Sequence, residues 1–369
     1  MTAAITESEP LPPLYARWLD HLLGGPIPRE SRATCAQCAM APDAGEQSAR
    51  SAYYYDPAVK CCTYVPDLHN FLAGAILSDT NPDAQPGRAT VEKRMAEGLG
   101  VTPLGLAQPP VYSLLYNRSD HSFGRSRTLR CPHYLEDSGR CGVWLHRDSI
   151  CSTWFCKHVR GAVGHAFWHE SLQRLLSTVE NGLARWCVLE LHLSADCLRH
   201  LVTDASWNSE SQEVTGEALD NKVNREAYAH IWGDWRGREG EFFRRCAELV
   251  NPLSWADVLA ICGQEVRACA RLTQDAHRQL ISGDVPAALS VGAIQLVQIR
   301  QDVTRVASYS YSDPLDVPQI VMELLHYFDG RPVADALAAI AGERGVRLDL
   351  DLVRKMVDFG LLVAAAGPR

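Results

Sequence analysis

The chain has 369 residues, 46% of them hydrophobic and 22% charged, with a formal net charge of -8. That length exceeds what one compact core holds and implies several domains, while the acidic balance disfavours a protein whose task is to coat nucleic acid. The amino terminus carries neither a basic n-region nor an apolar h-region, and the longest apolar runs, such as 71–77, fall far short of the roughly 20 residues that cross a bilayer. A reducing cytoplasm without membrane contact is therefore the expected setting.

Residues 1–30 read as an amino-terminal tail and a short helix. From 31 to 160 short apolar runs are broken by Pro, Gly, Asn and Asp, so this stretch is expected to be irregular and to need an internal tether. Within it, 67–77 reads as a helix with Pro66 just ahead, and 111–116 as a short strand.

Residues 161–300 read as a helical domain. Leu172, Leu175, Leu176, Val179, Leu183 and Trp186 recur at helical spacing, and 242–250, 255–272 and 285–299 show similar periodicity. The polar stretch 203–221 reads as a loop. Residues 301–369 read as a small α+β module: a strand over 303–311, a helix from Asp313-Pro314 to Phe328, a turn over 329–332, helices over 333–342 and 348–359 with Gly360 as the stop, and a closing strand at 361–363. The fold class expected is mainly α.

The chemistry lies in the cysteines. Of thirteen, eight crowd the first 156 residues: Cys35 and Cys38 as a CxxC pair, Cys61 and Cys62 adjacent, then Cys131, Cys141, Cys151 and Cys156. Two residues between cysteines let one turn aim both thiolates at the same centre. An odd total in a reducing compartment argues for metal ligation over a disulfide framework. Eight thiolates suit iron–sulfur clusters or zinc; the spread spacing favours a 4Fe–4S cluster, with zinc as the alternative. His133, His146 and His158 lie close by as ligands or supporting partners.

In order and local context these residues resemble the YkgJ-type cysteine-cluster family, described as a zinc- or iron-chelating domain. The resemblance rests on the CxxC, the vicinal pair, Cys131-Pro132, Gly139-Arg140-Cys141-Gly142-Val143, Arg147 and the Cys151 to Cys156 end, across 31–160. Residues 39–60 form an insertion between the first two elements, where the family has only a few residues. The same pattern occurs in cysteine-rich flagellin lysine N-methylases, so the resemblance implies S-adenosylmethionine as a cofactor and methyl transfer to a peptide or protein as one enzyme reading. The competing reading is a non-catalytic zinc-stapled scaffold or adaptor.

The basic stretch 118–160 includes Arg125, Arg127 and Arg147, candidates to hold an anionic cofactor group, although solvated cations that offset thiolate charge explain the same pattern. Trp232 to Gly240, with Arg236 and Arg238, reads as a loop with two packing tryptophans. Cys187, Cys197, Cys246, Cys262 and Cys269 read as small buried thiols. The last module resembles PqqD-like winged-helix domains that bind peptides, through 324–333 and 357–362; its third helix offers too few cations for DNA, so a peptide or protein partner is expected there. There is no P-loop, Rossmann fingerprint, HExxH or Ser-His-Asp pattern.

Overall fold

The computed structural model describes residues 11–30, 38–41, 54–119, 122–193, 196, 220 and 222–365. Helix outweighs strand by 54% to 11%, and the strands form small separate sheets, so the fold is mainly α. No described helix is long and apolar enough to cross a membrane. The chain folds into two interleaved units: one takes Met1–Gly25, Thr34–Thr153 and Gln173–Ala270, the other Pro26–Ala33, Trp154–Leu172 and Arg271–Arg369.

In the first unit, α1 (Pro13–Leu23) opens with Pro13 in its first turn, where a missing N–H costs nothing, and ends at Gly24 in the left-handed conformation. Tyr15, Trp18 and Leu19 are buried, and the Trp18 indole donates to the carbonyl of Leu253 at 3.0 Å. After β1 (Leu68–His69), α2 (Asn70–Ser78) begins at a fully buried Asn70. Its amide donates to Pro103 and Ala184 carbonyls, both at 2.9 Å, and its oxygen accepts the Phe71 N–H. Burial of this polar side chain is thereby compensated.

Helix α3 (Gln85–Glu97) follows, then the hairpin of β2 (Val101–Thr102) and β3 (Gly105–Leu106), with β3 pairing β1 as well. Residues 111–116, expected as a strand, lie in α4 (Pro110–Asn117). Pro110 presets the first-turn φ, and Tyr112 stacks on Tyr116 one turn on, with ring centroids 5.9 Å apart.

The hairpin β4 (Tyr134–Leu135) and β5 (Arg140–Cys141) and the short α5 (Ser149–Thr153) lead on; after the segment belonging to the second unit, α7 (Gln173–Glu190) resumes. Helices α8 (Arg225–Trp232), α9 (Glu239–Val250) and α10 (Trp255–Ile281, kinked at Gly263) follow. Phe242, Phe243 and Trp232 are fully buried, each Phe stabilising by roughly 2–3 kcal/mol. Gly74 lets α2 lie directly on the α9 backbone: a Cβ there would meet the Phe243 carbonyl oxygen at 1.8 Å. The loop expected at 203–221 falls almost wholly outside the described residues.

The second unit holds α6 (Gly161–His165) and the π-helical turn Ala166–Leu172. The rest of it corrects the expected elements in three places. Residues 285–299 are not a helix but β6 (Ala288–Val291) and β7 (Gln295–Ile299). The helix expected from Asp313 instead begins as β9 (Leu315–Pro318), which pairs β8 (Val303–Ala307), and turns helical only at α11 (Gln319–Leu324). Pro318 explains this, because the residue before a proline resists the α conformation. The expected turn 329–332 is β10 (Asp329–Pro332), paired with β6 through a bulge.

Helices α12 (Val333–Arg344) and α13 (Leu350–Asp358) and the final β11 (Leu362–Ala364) form as expected. The sheets run β10-β6-β11 and β7-β8-β9, all antiparallel, over a core that includes Leu289, Phe328, Ile340 and Val353.

Candidate metal centre

All described cysteines are free thiols; Cys35 and Cys197 lie outside the described residues. Among the first eight, the structure gathers six within the first unit, in two groups of three.

The first group is Cys38, Cys61 and Cys62. Residues 56–64 are wound into successive turns, with Val59 and Lys60 N–H donating to the Asp56 carbonyl, Cys62 N–H to Val59 and Tyr64 N–H to Cys61. Lys60 takes a positive φ of 52°, which bends the backbone just ahead of the vicinal pair. The Cys61 thiol is pushed well up by its hydrogen bond with Cys62, then by burial and the Cys62 charge. Burial, with the charge of Cys61 added, raises Cys38.

The second group is Cys131, Cys141 and Cys151. Gly139, at φ 64°, makes the turn that returns β5 beside β4, so Cys141 pairs with Tyr134 and Gly142 N–H donates to the His133 carbonyl at 2.8 Å. Cys131 is pushed up to about 12 by burial and the neighbouring Cys141 charge. Cys151 is also raised well above its ordinary value, by burial and the charges of Asp148, Cys141 and Cys131. Deprotonating these sulfurs together is unfavourable unless a cation arrives with them.

Two contacts tie the groups together. The Cys131 N–H donates to the Cys62 carbonyl at 2.7 Å, and the Lys60 ammonium donates to the Gly139 carbonyl at 2.9 Å. Cys156 is half-buried and belongs to the second unit. Among the described residues, no three His, Cys, Asp or Glu side chains converge on a point where one ion would be held.

The three arginines already have partners. Arg125 donates to the Tyr54 carbonyl at 3.3 Å, and the exposed Arg127 forks onto Asp56. Arg147 is buried: its guanidinium lies 3.5 Å from the Trp144 ring centroid and donates to the carbonyls of Trp144 and Cys151. Through the Cys151 carbonyl, Arg147 is bonded directly to a cysteine of the second group.

His133 is fully buried beside Cys131. Its Nδ1 meets the Thr90 hydroxyl at 2.8 Å, its Nε2 has no hydrogen-bond partner among the described residues, and burial drops its pKa to about 3. His146 pairs with Asp79 at 2.9 Å. His158, in the second unit, packs among Phe155, His165 and Tyr309. Trp232 is a buried packing residue, whereas Trp235 is only partly covered and carries Arg238 on its face. Cys187, Cys246 and Cys269 are buried thiols, and Cys262 is half-buried.

A buried polar network went unread in the sequence. Glu180, 1% exposed, accepts the Tyr15 hydroxyl and both the N–H and hydroxyl of Ser149, and its Oε2 lies 3.8 Å from His69 Nδ1. Glu180 sits on the apolar stripe of α7 between Val179 and Leu183, and an acid at a core position was the signal available. The chain matches no family model, no curated protein and no solved structure.

Proposed function

We propose that this chain is an iron–sulfur protein in which Cys35, Cys38, Cys61, Cys62, Cys131, Cys141, Cys151 and Cys156 supply the ligands of one or two 4Fe–4S centres, and that it modifies a peptide or protein, with methyl transfer from S-adenosylmethionine as the reaction class. The observation that carries the metal reading is the hydrogen bond from Cys131 N–H to the Cys62 carbonyl, which joins two sulfur triads drawn from segments far apart in the chain. An all-sulfur donor set suits soft, thiophilic metals. The thiols resist ionisation through burial and mutual charge, and a bound cation removes that resistance. When bound, a cluster supplies redox-active, Lewis-acidic iron.

The chain's own residues do the rest. Lys60 pins the hairpin that presents Cys141, and Arg147 keeps a fixed positive charge at the Cys151 backbone. The carboxy-terminal module, read as winged-helix-like, would dock the substrate. Its support is β7, which among the described residues pairs only β8 and leaves Leu296, Val297 and Ile299 between 51% and 69% exposed. An unpaired apolar edge of this kind accepts an added peptide strand.

The test is anaerobic purification followed by iron, acid-labile sulfide and zinc analysis, a visible spectrum, and equilibrium dialysis with S-adenosylmethionine. Iron and sulfide in near-equal amounts with a broad visible band are expected. Zinc alone, at one or two per chain, overturns the cluster and leaves the scaffold reading. A loaded cluster that ignores S-adenosylmethionine overturns the methyl-transfer class.

A further inference from the structure

We propose that the cleft between the β2–β3 hairpin, α7 and α8 binds a small zwitterion with an apolar body, its ammonium held by Asp67 and its anionic group by Arg185. The cleft lies wholly within the first unit, encloses about 540 Å³ and is large enough for a ligand of this size. The proposal is independent of the cysteines and of any metal.

The walls define the ligand. Leu99, Val101, Leu104, Val223, Ala227 and Ile231 line the cleft and call for an apolar body. Asp67 and His69 supply polar groups of the opposite character. Among the described residues the Asp67 carboxylate accepts one hydrogen bond, from the Gln108 N–H at 3.1 Å. Burial pushes the Asp67 carboxyl up and the His69 imidazole down, each toward its neutral form, so the two do not satisfy one another as a settled ion pair. A desolvated carboxyl of this kind gains most from an incoming cation, which restores the charge that burial opposes.

Outside the lining, the Glu180 Oε2 lies 3.8 Å from His69 Nδ1. Arg185 answers Asp67 from α7. It lines the cleft, is exposed, has no ion-pair partner among the described residues, and acts electrostatically on His69. Lys222, also on the rim, is already paired with Asp220 at 2.8 Å. Asp67 and Arg185 line the same cleft and both act electrostatically on the one imidazole, so the cleft offers a negative and a positive contact together. A molecule with a single charge leaves one of them unanswered.

Ligand-observed NMR titration of the full chain with norleucine, 6-aminohexanoate, hexylamine and hexanoate tests this. One of the two zwitterions is expected to bind about tenfold or more tightly than either singly charged analogue. Norleucine ahead of 6-aminohexanoate places the two charges adjacent; the reverse order places them apart. Asp67→Asn keeps the acceptor for Gln108 and is expected to weaken the ammonium-bearing probes about tenfold while sparing hexanoate. Arg185→Met, at an exposed position, is expected to do the opposite. Equal binding of all four probes, binding of none, or indifference to both substitutions overturns the proposal.

Discussion

The phenol of Tyr15 donates to the carboxyl of Glu180, joining the amino-terminal helix to the middle of α7 inside a site that solvent does not reach. Burial raises the Glu180 carboxyl from the usual carboxylate range to about 7, against the hydrogen bonds from Ser149 and Tyr15 that lower it. The charged and titratable groups facing it are Tyr15, Asp67, Asp148 and His69.

A carboxyl raised in the folded state holds its proton longer there than in the unfolded chain. Its contribution is intact below the unfolded value near 4.3 and is lost as pH climbs through about 7, a loss on the order of 3 kcal/mol. Glu180→Gln keeps the acceptor for Tyr15 and the Ser149 N–H and carries no charge. Urea denaturation at pH 5, 6 and 7.5 should show a flatter stability profile for the variant, with the gain largest at pH 7.5. An unchanged slope between pH 5 and 7.5 would refute the assignment.

Gly87 bears directly on the second sulfur group. It lies in the first turn of α3, and a Cβ there would stand 2.0 Å from the Gly142 carbonyl oxygen, next to Cys141. Alanine normally favours a helix by about 1 kcal/mol over glycine, but here backbone has to move. Gly87→Ala is expected to cost about 3 kcal/mol or more and to lower bound metal per chain. Gly342→Ala is the control: it sits inside α12 with nothing within 4 Å and should be neutral or stabilising by up to about 1 kcal/mol. Melting temperature and metal content measured on both variants decide the matter, and equal behaviour of the pair counts against the close approach.

What was legible in the sequence follows from how local each signal is. α13 announces itself through Asp349, whose side chain caps Leu352 N–H, and through Gly360 at φ 72° just past its end. α7 shows its apolar stripe without help. By contrast β6 owes its state to β11 and β10, which arrive much later in the chain, so a loose helical period in 285–299 gave way to pairing that no local window contains. The sulfurs were legible as residue types. Their division into two triads was not, because it depends on the hairpin turn at Gly139 and on the Cys62 carbonyl finding Cys131.

Two cysteine substitutions separate ligand from packing roles. Cys131→Ser leaves a hydroxyl in a buried site among Cys141 and Cys151 and should lower iron and sulfide content sharply while only modestly changing the fold. Cys187, whose thiol points at the Cys246 carbonyl at 3.8 Å within the helical core, should leave metal content untouched when changed to Ala and cost about 1 kcal/mol through the small cavity. Metal analysis of both variants, purified side by side without oxygen, reads the difference. If Cys187→Ala loses as much metal as Cys131→Ser, the division of the cysteines into two classes fails.

In the second unit one guanidinium serves four partners. Arg160 pairs with Asp358 through Nε at 3.1 Å and through Nη2, while Nη1 donates to the carbonyls of Gln279, Leu280 and Ser282. Both charged side chains are about 15% exposed, so removing one strands the other in poorly solvated surroundings. Arg160→Met is expected to cost about 2–4 kcal/mol in chemical denaturation of the full chain. Arg160→Lys should recover little of it, because a single ammonium on a flexible stem cannot face Asp358 and the carbonyls at once. A lysine variant within about 0.5 kcal/mol of the parent would mean that charge alone, and not the planar fork, holds α13 to the end of α10.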